Sequence, residues 1–234
     1  MVAAMPQHIA ESLRLSGEKS SPSRGYAAGI PRRSLQRLFG ELTVSLRLTA
    51  MCCCEAAQFK MRATSIIEVT RTYLEMRDPS ELQAARRDDP RISIEQIPGC
   101  APAFFRYLYI EVGRNYNWID RLPWTDADIA AHLEQPEISI WLMTYEGETA
   151  GYFELRRCED DSVEIAYFGL LPVFIGRGLG KHLLTCATEE AWAMGVRRVW
   201  LHTCTLDDRA AMPNYLKRGF RPFKTESYSV ELPS

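Results

Sequence analysis

From Met61 onward the hydrophobic and polar positions recur with periods of two and of about 3.6 residues, and each change of period marks an element. Extended segments are expected over 65–76 and 91–97; in the second, Arg91-Ile92-Ser93-Ile94-Glu95 alternates polar with apolar. A helix is predicted over 102–113, and a second from Thr125, where Thr-Asp-Ala-Asp supplies capping groups, to His132. Strands follow over 138–145, 149–157 and 162–171, the first two joined by the hairpin signal Glu146-Gly147-Glu148. The helix predicted over 177–194 repeats Leu179, Leu183, Ala187 and Ala191 along one face, which should pack on a sheet. A strand over 197–204, a short helix around Tyr215 and one or two strands over 220–232 complete the order. It reads strand, two helices, three strands, helix, strand, helix, strand.

Residues 1–60 break this regularity. Ser, Arg and Ala are frequent there, and SGEKSSPSRGYAAGIPRRS holds no steady period, so a disordered N-terminal extension is expected ahead of a single domain over 61–234. Residues 34–50 are amphipathic enough to form a helix, an organelle-type leader is an alternative that is not favoured, and Met61 also reads as an alternative start. At 234 residues and 46% hydrophobic content the chain can bury one core, but not two full domains.

The net charge of -2 conceals an asymmetry: residues 1–60 carry eight Lys or Arg against four acids, and 61–234 carry twenty against twenty-six. A mildly acidic main part excludes a nucleic-acid-binding core and suits an amine-bearing substrate. Of seven cysteines only Cys52, Cys53 and Cys54 cluster, with no C-x-x-C pair, and the four histidines are scattered, so no metal site is expected. Reduced thiols and the lack of any apolar run of about eighteen residues fit a cytoplasmic protein with no membrane span.

The chemistry concentrates between Glu164 and Trp192, EIAYFGLLPVFIGRGLGKHLLTCATEEAW, where an apolar strand meets a glycine-rich turn and then a helix. Gly176, Gly178 and Gly180 let the backbone approach a ligand, and amides opening the helix can face an anion. Spacing removes two phosphate motifs. A P-loop would need Gly at Ile175 and a hydroxyl at His182, and a Rossmann turn would need Gly at Lys181.

The stretch resembles motif A of the GNAT superfamily of N-acetyltransferases, [Q/R]-x-x-G-x-[G/A], with Gly178 and Gly180 in the two glycine places and Ile175 where the family prefers Gln or Arg. Downstream, Asn214-Tyr215-Leu216-Lys217-Arg218-Gly219-Phe220 resembles the family's Y-x-x-x-G-F segment, with Asp208 where many members carry Asn. The resemblance, over roughly residues 72–232, implies an α/β (α+β) fold with a GNAT-type mixed, mostly antiparallel central sheet flanked by helices. It implies acetyl-CoA as co-substrate, with Leu170, Leu171, Ile175, Gly176, Arg177, Gly178, Leu179, Gly180 and Lys181 as its binding residues. It also implies a small-molecule or peptide amine as acceptor, and leaves room for a homodimer.

Transfer to an amine needs a base, and Glu164, the one charge in the apolar run Val163–Leu171, is the candidate, its carboxyl raised by burial. The competing reading puts Glu164 at the wet end of its strand. His202 is a rival base, as an imidazole titrates near neutrality. By resemblance Tyr215 lies beside the cofactor sulfur, where a phenol can protonate a departing thiolate. A backbone amide near the end of the Phe168–Leu171 strand would polarise the carbonyl, and Gly169 is expected to mark a bulge. Residues 105–124 concentrate aromatics, and Glu111, Arg114, Trp118 and Asp120 are the candidate acceptor-binding residues. The expected function is N-acetyl transfer by direct attack; a non-catalytic acyl-CoA-binding module is the alternative.

Overall fold

The computed structural model describes residues 64–233, so the expectations for residues 1–60, the Cys52–Cys54 run included, lie outside it. The described strands are β1 (Thr64–Met76), β2 (Ile92–Gln96), β3 (Ile138–Tyr145), β4 (Glu148–Cys158), β5 (Ser162–Leu170), β6 (Arg198–Cys204) and β7 (Arg221–Pro233). The α-helices are α1 (Pro102–Gly113), α2 (Asp126–Leu133), α3 (Leu179–Ala193) and α4 (Ala211–Lys217).

Local signals account for most boundaries. Pro102 opens α1, where a missing amide costs nothing. Thr125 and Asp128 close a reciprocal capping box at the start of α2. Glu146 and Gly147, with φ of 54° and 82°, turn β3 into β4 in the left-handed conformation that two-residue hairpins favour. Helix α3 starts at Leu179 rather than 177, because a 3-10 turn over Pro172–Phe174 and the left-handed Gly176 and Gly178 come first.

The seven strands form one sheet in the order β2-β3-β4-β5-β6-β1-β7. Every neighbouring pair is antiparallel except β5 and β6, which run parallel and are joined through α3. The fold is the mixed, mostly antiparallel α/β architecture expected. The place of β1, between the last two strands, was not foreseen.

Alternation along β5 assigns the two faces. A Cβ on Gly169 would strike Val112 of α1, whereas Leu170 points the other way, toward Gly180 of α3. The α1 and α2 side also receives Glu154 of β4, which bonds His132 of α2. The α3 side receives Phe168, against which Tyr215 of α4 packs. Leu74, Phe105, Phe153, Leu155, Leu179 and Leu183 are wholly buried in the core.

Candidate active site

The glycine turn sits at the exit of β5, at the N-terminus of α3. Gly176 and Gly178 have φ of 80° and 74°, and a Cβ on Gly176 would meet nothing, so the turn opens onto free space. The first amides of α3 have no partner within the helix and carry its positive dipole end. Lys181 and Arg177 are exposed beside them, the Arg177 guanidinium lying 5.0 Å over the Phe174 ring. Leu171 and Leu179 are buried in the core, so at these two positions only backbone faces the turn. The Ile175 side chain is exposed and adds no polar group.

Next to this turn the sheet forks. The parallel ladder between β5 and β6 covers only Ser162–Glu164 against Arg198–Trp200, yet β5 continues to Leu170 and β6 to Cys204. A bulge helps the strands part. Glu154 faces Tyr167 while Leu155 faces Ile165, so the extra residue is Ala166. The bulge expected at Gly169 is therefore three residues earlier. Gly169 is small for a different reason: a Cβ there would lie 2.3 Å from Val112 Cγ1, where α1 presses on the sheet.

Glu164 stands at the fork on the α1 side and is 4% exposed. Its carboxylate accepts from Arg156 of β4, Nε at 3.0 Å with Nη2 closer, and its Oε1 lies 3.4 Å from His202 Nδ1 on β6. Burial alone would raise this carboxyl, but His202 and Arg156 outweigh it and hold it below the usual carboxylate range. The expectation of a raised carboxyl is corrected: Arg156 of β4 and His202 of β6 flank Glu164 and hold its carboxyl down.

Tyr215 reaches the fork from the opposite face, its ring edge-on to Phe168 at 6.3 Å. Burial, with Asp207 nearby, pushes its phenol well above the ordinary value, so it is protonated throughout the neutral range. Asp208 accepts a hydrogen bond from the Tyr116 hydroxyl at 3.2 Å, tying the turn before α4 to the loop after α1.

With this geometry in place, comparison with known proteins gives a consistent result. The family model described as the acetyltransferase (GNAT) family matches residues 104–220, half of the chain. The chain belongs to the GNAT acetyltransferase family. An uncharacterized N-acetyltransferase of Escherichia coli (strain K12) is 38% identical over 89 residues, which span 37% of this chain and 53% of that protein. An uncharacterized N-acetyltransferase of Mycobacterium bovis is 31% identical over 106 residues, 45% of this chain and 67% of that protein. Among solved structures, a GCN5-related N-acetyltransferase from Sphaerobacter thermophilus aligns with a TM-score of 0.56 at 16% identity, over 74% of this chain and 54% of that one. One from Kribbella flavida gives 0.51 at 18% identity, over 73% and 60%. At these identities the two structures bear on the fold alone, which they share with this GNAT chain.

The expected acceptor residues of this GNAT domain divide. Glu111 and Arg114 pair with one another one helical turn apart, and Asp120 is exposed on the loop. Trp118 packs edge-on against Tyr167 of β5 at 5.0 Å and beside Tyr109 and Tyr152. Sequence reading missed what anchors this wall. Arg121 donates from Nη1 and Nη2 to Glu154 at 2.6 and 2.8 Å, and its guanidinium lies 4.2 Å over the Tyr167 ring. His132, at the predicted end of α2, shares the Glu154 carboxylate at 3.0 Å. The Arg121 guanidinium, helped by the contact with His132, holds Glu154 down to about 2 despite complete burial.

A second unforeseen element is the irregular segment 82–90, which crosses α3. The Ala85 amide donates to Thr185 Oγ1 at 2.9 Å, the Arg87 amide to His182 Nδ1 at 3.1 Å, and Arg86 pairs with Glu189. Among the described residues no three His, Cys, Asp or Glu side chains converge to hold a metal ion, and no helix is long and apolar enough to cross a membrane.

Proposed function

We propose that this GNAT protein moves an acetyl group from acetyl-CoA to a primary amine of a small molecule or peptide, by direct attack of the amine on the thioester. The observation that carries the reading is the forked sheet, with the glycine turn at its mouth, Glu164 and His202 on one face and Tyr215 on the other. The turn suits a phosphate group: the left-handed Gly176 opens onto free space beside the amides of α3 and the exposed Lys181. The residues that would hold the donor are Leu170, Leu171 and Ile175 through Lys181, Leu171 and Leu179 by backbone alone.

A substrate ammonium is neutral only about once in 2,500 at pH 7, which costs roughly 4.6 kcal/mol of reactive amine. The Glu164–His202 couple supplies a route for that proton. His202, a third exposed, is the member facing solvent, while Glu164 is almost fully enclosed. In this reading His202 collects the proton and Glu164, whose Oε1 lies 3.4 Å from Nδ1, stabilises the charge that forms. Tyr215, held protonated by burial, donates to the departing sulfur. Carbonyl polarisation falls to backbone amides on the edge of β5 beyond Glu164, where no ladder to β6 engages them.

The test is thiol release from acetyl-CoA across a library of primary amines, run beside calorimetric titration of CoA. Turnover with at least one amine is expected. Binding without turnover on every amine would leave only an acyl-CoA-binding module, and absence of CoA binding would overturn the reading.

A further inference from the structure

The segment 82–90 brings a side chain to the glycine turn that lies outside both sequence motifs. Arg87 Nη1 donates to the backbone carbonyl of Arg177 at 2.8 Å, and its Nη2 pairs with Asp89 at 2.8 Å. The backbone of Arg87 is itself fixed by its amide bond to His182 Nδ1. That bond needs a neutral imidazole, and burial, aided by Arg86 and Arg87, depresses His182 toward this form. Flanking bonds to Thr185 and Glu189 hold the segment along α3, on the stripe 182, 185, 189 that faces away from the sheet.

The carbonyl that Arg87 grips belongs to the peptide joining Arg177 to Gly178. No peptide bond among the described residues is cis. In a planar trans peptide the C=O and the following N–H point in opposite directions. A carbonyl held toward the segment therefore turns the Gly178 N–H outward, away from it, at the head of α3. Two glycines of positive φ, Gly176 and Gly178 on either side of Arg177, give this turn little rigidity of its own. An amide already aimed at an anion binds it better than one that must first be ordered.

We infer that Arg87 is a positioning residue for the donor's phosphate groups: by holding the Arg177 carbonyl it aims the Gly178 amide, and so supplies from outside the motif an order that Ile175 does not. The inference rests on the acetyl-CoA reading for its natural ligand, but the Gly178 amide can be interrogated without it. Two probes are used, CoA in calorimetry and inorganic pyrophosphate in amide-resolved NMR, on the full chain and on Arg87→Ala, Arg87→Gln and Arg87→Lys. Arg87→Ala should weaken CoA about tenfold, the scale of one lost hydrogen bond, and shift the Gly178 amide resonance before any ligand is added. Arg87→Gln keeps an N–H donor without charge and should recover most of the affinity.

Equal CoA affinity in wild type and Arg87→Ala overturns the inference and leaves the proposed function standing. Rescue by Arg87→Lys and not by Arg87→Gln also overturns it, because charge rather than carbonyl anchoring would then be at work. A wild type that ignores CoA while pyrophosphate still perturbs the Gly178 amide, dependent on Arg87, removes the proposed donor and keeps the positioning role. No response of Gly178 to either probe removes both.

Discussion

The Arg156 guanidinium on β4 donates to the Glu164 carboxylate on β5 from directly across the ladder, with Nε at 3.0 Å. The pair sits where β5 and β6 part, and His202 closes it from the third strand. The arrangement keeps Glu164 ionised at neutral pH, which is why the proposed mechanism gives the proton-collecting role to the imidazole.

Glu164→Gln should therefore weaken the fold as well as the reaction. The carboxyl sits lower folded than unfolded, so its stabilisation is complete above the unfolded value of about 4.3 and is lost as pH falls through the folded one. Because Arg156 is 42% exposed, the loss at pH 7 should be about 1–3 kcal/mol, below that of a fully buried pair. Urea titrations at pH 7 and in acid measure it; a difference that persists unchanged in acid would contradict the assignment.

Tyr215→Phe removes a hydroxyl and leaves the ring against Phe168 and Phe220. Stability should change by no more than about 1 kcal/mol, whereas kcat should fall about a hundredfold. Thiol release as a function of pH is the measurement. An unchanged rate at every pH would end the general-acid role.

The Arg121–Glu154–His132 cluster should dominate acid sensitivity. Glu154 is fully buried and held to about 2, so its stabilising contribution should drain away as pH drops from about 4.5 toward 2. Glu154→Gln should cost about 3–5 kcal/mol at neutral pH, since it strands the buried guanidinium, and should flatten that acid slope. The double change Arg121→Met with Glu154→Leu should recover more than half of the loss, read from urea midpoints.

Gly219 tests the second motif. Its φ is 101°, and a Cβ there would lie 2.0 Å from the Glu81 carbonyl oxygen. Gly219→Ala combines left-handed strain with a backbone collision and should cost about 3 kcal/mol or more. Gly195→Ala is the control: φ is 70° with nothing within 4 Å, so only the strain of about 1–2 kcal/mol remains. Equal losses in the two variants would show that Glu81 yields.

What sequence made legible here is local. The element order, the Thr125 cap, the Glu146-Gly147 hairpin and the glycine turn each rest on residues within a few positions of one another. Glu164 stood out as a lone charge in an apolar run, but its partners Arg156 and His202 come from other strands, and they reversed the direction expected from burial. The bulge was assigned to Gly169 because glycine often marks one; Ala166 carries no such mark. Segment 82–90 has no period, and its bonds to the polar stripe of α3 join residues 95 to 100 positions apart in sequence. Arg121 lies within the aromatic stretch 105–124, but its partner Glu154 comes from β4, in another part of the sequence.

The place of β1 in the sheet has a consequence for how the protein forms. Its partners are β6 and β7, in registers such as Leu74 with Leu201 and Val69 with Tyr228. During synthesis β1 leaves the ribosome before any other described strand, and waits with Val69, Leu74 and Met76 uncovered until both partners exist. Pairings this distant in sequence are slow to close. Of the described strands the one made earliest is the last to gain both neighbours, and its insertion should set the pace of refolding.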